Sequence, residues 1–269
     1  MVVAGQVQQV APEAIRMAAA DPPRPPSREG AELLSARERR VCNGISPWLS
    51  PLAMVATQDL ALPAFFNGVA VQGREHLRRE GAVLLAPTHR ARWDALLLPH
   101  AAGRRITGRD CRFMVTLDEM QGLQGWFLHR LGCFPVDQGR PTLSSLRLAV
   151  ELLGRGEQLV VFPEGRIHRQ DDPLRLHQGL ARLAQLARSQ GVEVRVLPVG
   201  IAYGHPVPRA GDRAAVQIAP PLWVEGEGRE AGRRFTTALA EAMADAERQA
   251  RRLVNRPLPD PPDPLRGGP

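Results

Sequence analysis

The chain has 269 residues, 43% hydrophobic and 4% aromatic, with 35 basic side chains, all arginine, against 28 acidic ones. That is enough for one full core plus a small appended element, while no run of about 18 unbroken apolar residues argues for a spanning helix. Cys42, Cys111 and Cys133 are unclustered and lack CxxC spacing, which fits reduced thiols in a cytoplasmic chain rather than disulfides or a metal site. The arginines are spread without the aromatic interleaving of a nucleic-acid surface.

In chain order, residues 1–30 lack the basic start and apolar run of a secretory signal and end in ADPPRPPSREG, whose prolines exclude regular structure, so they read as a disordered arm. Residues 31–67 form an N-terminal helical element. Its apolar stretch ISPWLSPLAMVATQDLALPAFF is interrupted by Pro47, Pro51, Asp59 and Pro63, which predicts a short helix lying against the core or a membrane surface.

Residues 68–255 alternate short β-rich runs with longer helical ones. Strands are predicted over 69–72, 82–86, 112–116, 158–162, 194–203 and 214–218. Helices are predicted over 93–102, 119–130 with Asp118 as N-cap, 143–153, 174–188 and 229–254. Such alternation implies a single α/β domain with a largely parallel central sheet flanked by helices. The proline-rich tail, 256–269, reads as disordered.

Two segments carry chemistry. THRARWD follows the strand GAVLLAP, so His89 stands on a loop leaving the carboxyl end of a parallel strand, where α/β folds place ligands. A helix beginning near Ala91 lets Asp94 reach back to the imidazole and fix its tautomer, making His89 a candidate general base. The second segment, LVVFPEGRIHR, runs from a strand into Pro163, Glu164, Gly165 and Arg166. Glycine permits a sharp turn there, and arginine can fork two hydrogen bonds onto a phosphate. Taken singly, the first pair also fits an accidental neighbour in a chain with seven histidines, and the second an ordinary strand-end turn with a surface ion pair.

Together the segments resemble the glycerolipid acyltransferase family, of the 1-acyl-glycerol-3-phosphate acyltransferase type. The resemblance spans 69–222 and rests on four blocks in order: HRARWD, the family's His-x4-Asp block; LGCFPVDQGR; VFPEGR; and VLPVGIAY. The wording APTHRARWDALLLP, with RFMVT and GLQGWF downstream, is similar to the cyanobacterial or plastid-like branch.

The resemblance implies transfer of a fatty acyl group from a thioester, on coenzyme A or acyl carrier protein, to the free hydroxyl of a lysophospholipid, first of all lysophosphatidic acid. His89 would be the base and Asp94 its orienting carboxylate, with no acyl-enzyme, bound cofactor or metal. Phe134, Arg140, Glu164, Gly165 and Arg166 would form the acceptor site, and Trp126 and Phe127 are candidates for acyl-chain contact. His100, His129, His168, His177 and His205 match no block and read as surface or packing residues.

Several positions depart from the family pattern. Thr88 and Ala91 replace a frequent Asn and Ser, Gln138 follows Asp137 where an arginine is usual, and Arg166 precedes Ile167 where a hydroxyl residue precedes arginine, leaving Arg169 as a substitute. These departures keep open another hydroxyl acceptor, such as a glycolipid or pigment, or a catalytically silent lipid-binding member. Lipid substrates imply a membrane-surface partner and a cytoplasmic, peripheral location, with 45–66 as the contact segment.

Overall fold

The computed structural model describes residues 45, 46, 48–116, 128, 131–136, 143–168 and 174–256. Among these, one sheet is built from β1 (Phe66–Gln72), β2 (Ala82–Pro87), β3 (Cys111–Thr116), β4 (Phe134–Val136), β5 (Gln158–Val160), β6 (Val194–Tyr203) and β7 (Asp212–Ile218). Their spatial order is β1-β7-β6-β2-β5-β3-β4, and every neighbouring pair is parallel except β6 with β7. The mixed, mostly parallel α/β sheet is the architecture the sequence predicts.

Among the described residues the longer helical segments and one short turn of α-helix are α1 (49–65), α2 (Asp94–Ala102), α3 (Arg104–Thr107), α4 (Leu143–Gly154), α5 (Gly179–Ser189) and α6 (Gly228–Leu253), with a 3-10 turn at Arg74–His76. In α1 the turns widen to π geometry over Val55–Ala61, between α-helical Leu49–Met54 and Leu62–Phe65. Pro63 has no N–H to offer, and its ring would crowd the carbonyl four residues back. A wider turn just ahead of it, with the Leu62 N–H bonded to the Thr57 carbonyl, absorbs that conflict.

Strand β2 shows why the middle of the sheet reads as an unbroken apolar run. Val83 and Leu85 pack with Leu62 of α1 and Leu97 and Leu98 of α2 on one face. Ala82, Leu84 and Ala86 pack with Leu152 and Leu153 of α4, Leu183 of α5 and Leu239 of α6 on the other. Both faces of β2 are covered, so it needs no polar alternation. Each leucine fully buried this way contributes about 1.5–3 kcal/mol of transfer free energy.

Helix α6 meets β6 backbone to backbone at Gly200. A Cβ there would lie 2.1 Å from the Ala246 carbonyl carbon and 2.2 Å from the Glu247 nitrogen, so only glycine lets the two backbones meet. The small residues Ala202, Ala215 and Ala250 extend this contact along the helix.

The structure departs from the sequence expectations at α5 and β4. Residues 174–177 are not helical: α5 starts at Gly179, and the His177 N–H donates to the Pro163 carbonyl at 2.9 Å. Leu174 and Leu176 pack against the core two residues apart, a spacing of extended chain. The short β4 adds an edge strand that the sequence signals only as an apolar pair. The predicted helix 119–130 and its cap Asp118 lie outside the described residues, Leu128 excepted.

Candidate active site

β2 delivers the His89 loop to the carboxyl edge of the sheet, and Thr88 fastens it there. Its N–H donates to the Val199 carbonyl and its hydroxyl accepts the Ile201 N–H, both at 2.9 Å. The next residue points its imidazole toward Asp94, the first residue of α2, and the His89 Nδ1–H donates to Asp94 Oδ2 at 2.8 Å.

Asp94 is completely buried and fully engaged. Oδ2 also accepts the N–H groups of Arg90 (2.6 Å) and Ala91 (3.0 Å), and Oδ1 accepts the Tyr203 hydroxyl at 2.5 Å. Burial, followed by the neighbouring Asp94 charge, raises the Tyr203 phenol well above the usual tyrosine range, so it stays a donor. A chain poor in aromatics gathers several here: Phe65 stacks on Trp93 with centroids 4.2 Å apart, and Phe66 lies 5.7 Å from Tyr203.

The third block folds back over the loop from the end of β5. Phe162 stacks on the His89 ring at 4.0 Å, and the His168 N–H donates to the His89 carbonyl at 2.8 Å. Gly165 turns the chain with φ +71°, a left-handed conformation that favours glycine. Arg166 is exposed, its Nε donating to His168 Nε2 at 3.2 Å. His168 therefore belongs to the site rather than to an unrelated surface. The blocks lie 75 residues apart in sequence, so their spacing does not reveal this contact.

Glu164 has a different place from the one the resemblance implies. It is 3% exposed, and Oε1 accepts the His89 N–H at 2.9 Å while Arg90 Nη1 donates to both its oxygens, at 3.1 and 3.0 Å. Its carboxylate braces the His89 loop from beneath instead of facing an acceptor. Phe134 is also displaced: it is buried against Ala149 and Leu153 of α4 and does not line the cavity, whereas its neighbour Cys133, buried in the other core cluster, does. Arg140, Arg169, Trp126 and Phe127 lie outside the described residues.

Arg90 extends the polar network through the core. Its Nε and Nη2 donate to Glu247 at 2.9 and 2.6 Å, and Arg251 donates twice to Glu247 Oε1, at 3.0 and 2.8 Å. Burial alone lowers the Arg90 pKa, but the hydrogen bond and charge of Glu247, then those of Glu164, outweigh it and hold the guanidinium firmly protonated. Burial would raise Glu247, yet Arg90 and then Arg251 bring it below the ordinary carboxylate value. Sequence reasoning missed Arg90, Tyr203, Glu247 and Arg251. The available signal was Tyr203, the single tyrosine of the chain, at the end of the fourth block.

His89, Gly165 and Arg166 stand together on a cavity of about 610 Å³ that extends between α1, α2 and β3. Its walls are mainly apolar, including Met54, Leu96, Phe113, Leu128 and Cys133, and His177 also faces it. Burial is the main reason that the Cys111 and Cys133 thiols are pushed up to about 12 and about 11, which removes them as nucleophiles at neutral pH. Among the described residues no cluster of His, Cys, Asp and Glu is arranged to hold a metal ion.

Fold and site together define an α/β protein with a carboxylate-held imidazole at an apolar cavity, an arrangement able to take a proton from a hydroxyl beside a hydrophobic substrate. The chain belongs to the acyltransferase family, whose model matches residues 68–202. It is 30% identical over 124 residues to a 1-acyl-sn-glycerol-3-phosphate acyltransferase of Bacillus subtilis (strain 168), covering 46% of this chain and 59% of that protein. With the protein of the same name from Streptococcus pneumoniae (strain ATCC BAA-255 / R6) the identity is 28% over 122 residues, covering 45% and 41%. The chain thus spans about half the length of the curated relatives it matches. The crystal structure of PlsC, the 1-acyl-sn-glycerophosphate (LPA) acyltransferase from Thermotoga maritima, superposes with a TM-score of 0.48 at 19% identity, over 85% of this chain and 82% of that one.

Proposed function

We propose that the protein transfers a fatty acyl group from an acyl thioester to the free hydroxyl of a lysophospholipid, converting lysophosphatidic acid to phosphatidic acid. One observation carries this reading: a His89 ring held at 2.8 Å by a fully buried Asp94, with His89 lining a largely apolar cavity. Nε2, the ring nitrogen that Asp94 does not hold, takes the hydroxyl proton as the acceptor oxygen attacks the thioester carbon. The C–S bond then breaks and the proton passes to the departing thiolate. Asp94 orients the ring and stabilises the imidazolium formed on the way. Arg166, exposed beside the cavity, supports an acceptor that carries phosphate, and the names of the two curated relatives support the same acceptor.

Catalysis on lipids requires a membrane surface, and α1 supports one. Its inward face, including Ala53, Met54 and Thr57, lines the cavity, while Leu52 (66% exposed), Leu60 (63%) and, just ahead of the helix, Trp48 (82%) stand outward. No helix among the described residues is long and apolar enough to cross a bilayer; the exposed apolar side chains of α1 support its lying on the surface of the membrane.

The test is a mass-spectrometric assay of the purified protein with lysophosphatidic acid and both acyl-coenzyme A and acyl carrier protein thioesters. Phosphatidic acid is the expected product. Substituting His89→Ala should lower turnover by about a hundred- to ten-thousand-fold. Turnover unchanged by that substitution would overturn the mechanism, and product from a glycolipid alone would overturn the acceptor.

A further inference from the structure

Glu247 stands on α6, beyond residues 68–202 and outside every sequence block, yet its carboxylate reaches the underside of the His89 loop. We infer that Glu247 is a positioning residue for acyl transfer, holding that loop in its reactive shape through Arg90, and that α6 is thereby part of the active-site apparatus. The inference rests on His89 acting as the base.

Arg90 has three nitrogens to place. Glu247 takes two of them, Nε at 2.9 Å and Nη2 at 2.6 Å, in a parallel fork. The fork fixes the plane of the guanidinium and leaves Nη1 to hold everything on the catalytic side. Nη1 donates to both oxygens of Glu164 and to the carbonyls of His89 (3.2 Å) and His168 (3.3 Å). Glu164 in turn accepts the His89 N–H. The loop carrying the imidazole and the loop carrying Arg166 are therefore tied to one guanidinium, whose orientation α6 sets. Arg251 holds the shared Glu247 oxygen from the next turn of α6.

Two features separate this arrangement from an incidental ion pair. Arg90, Glu164, Glu247 and Arg251 are each at most 6% exposed, so water does not compete for these bonds and a misdirected group would find no substitute partner. In addition, Gly200 of β6 lies under the backbone of Ala246 and Glu247, where a Cβ would collide at 2.1–2.2 Å. The close approach of helix to strand is centred on the residue that reaches Arg90. Burial for stability alone does not require charges there, since apolar side chains of similar volume often replace such pairs without loss.

The decisive variant is Glu247→Gln, which keeps the shape and removes the charge. With an acyl thioester and lysophosphatidic acid, kcat should fall about tenfold or more while both KM values stay within about twofold, the signature of lost positioning rather than lost binding. The downfield proton resonance of the His89 Nδ1–H should shift or broaden. In an Arg90→Gln background the same substitution should cost nothing further, because the link is already cut. Unchanged kcat with an unchanged resonance, or losses that simply multiply, would overturn the inference.

The resonance needs no turnover. A wild-type protein that acylates no lipid overturns the proposed reaction, while the effect of Glu247→Gln on the resonance still decides whether α6 sets the loop. If Glu247→Gln does not fold, Glu247→Met with Arg251→Leu removes the two charges together and should produce the same fall in kcat and the same change in the resonance.

Discussion

Asp94 accepts four hydrogen bonds and shows how a single side chain organises the site. The imidazole, two backbone N–H groups and the Tyr203 hydroxyl all converge on it, so the ring, the loop and β6 share one anchor. Tyr203→Phe removes one of these bonds without opening space. A hydrogen bond to a buried carboxylate is worth about 1.5–3 kcal/mol, and we expect denaturant unfolding to register a loss of that size together with reduced kcat. Because the phenol is held protonated far above its ordinary range, the difference between wild type and variant should persist to the most alkaline pH assayed. A gap that closes as pH rises toward 10 would contradict this role. His89 and Asp94 were legible from a four-residue gap after a buried strand, whereas the place of Glu164 was not. A carboxylate in a strand-end turn looks solvent-facing until its partner is known, and that partner, Arg90, lies 74 residues earlier.

Among the elements, α1 serves two surfaces at once. One face closes the cavity and the other presents Leu52 and Leu60, with Trp48 just ahead of the helix. Replacing Trp48 and Leu52 together by Glu should leave the core unaffected, since both are exposed, but should abolish flotation with anionic liposomes at low salt. If the double variant floats like the wild type, α1 is not the membrane face. The sequence marked this segment as apolar and interrupted by prolines, yet the helix runs on through Pro51 and Pro63, widening to π turns ahead of the second. It marked 174–177 incorrectly as helix, because Leu174 and Leu176 are apolar for a tertiary reason. They follow the core beside the third block, whose Pro163 carbonyl accepts the His177 N–H. The strand order was hidden for a similar reason: the antiparallel return of β7 beside β6 depends on which edges are left free, not on a pattern within either strand.

At the scale of the whole molecule, the buried charges link acid stability to the site. Glu247 has a folded pKa below its unfolded one. Its contribution to stability is therefore complete above the ordinary carboxylate value of about 4.5 and is lost as pH falls through the lower, folded value. Denaturant midpoints measured between pH 7 and pH 3 should fall steeply for the wild type below pH 4.5 and less steeply for Glu247→Gln. Parallel curves would remove Glu247 from the account. None of this was visible in the blocks, since Arg90 and Glu247 are 157 residues apart and neither sits in a recognisable spacing with the other.

That separation also sets an order of events. The His89 loop emerges from the ribosome with β2, and Glu247, which holds its arginine, follows 157 residues later. A nascent chain carries its histidine and its aspartate long before it carries the means to fix the loop between them. On the proposed role of Glu247, the geometry of the His89 loop is complete only once α6 has docked on β6 at Gly200.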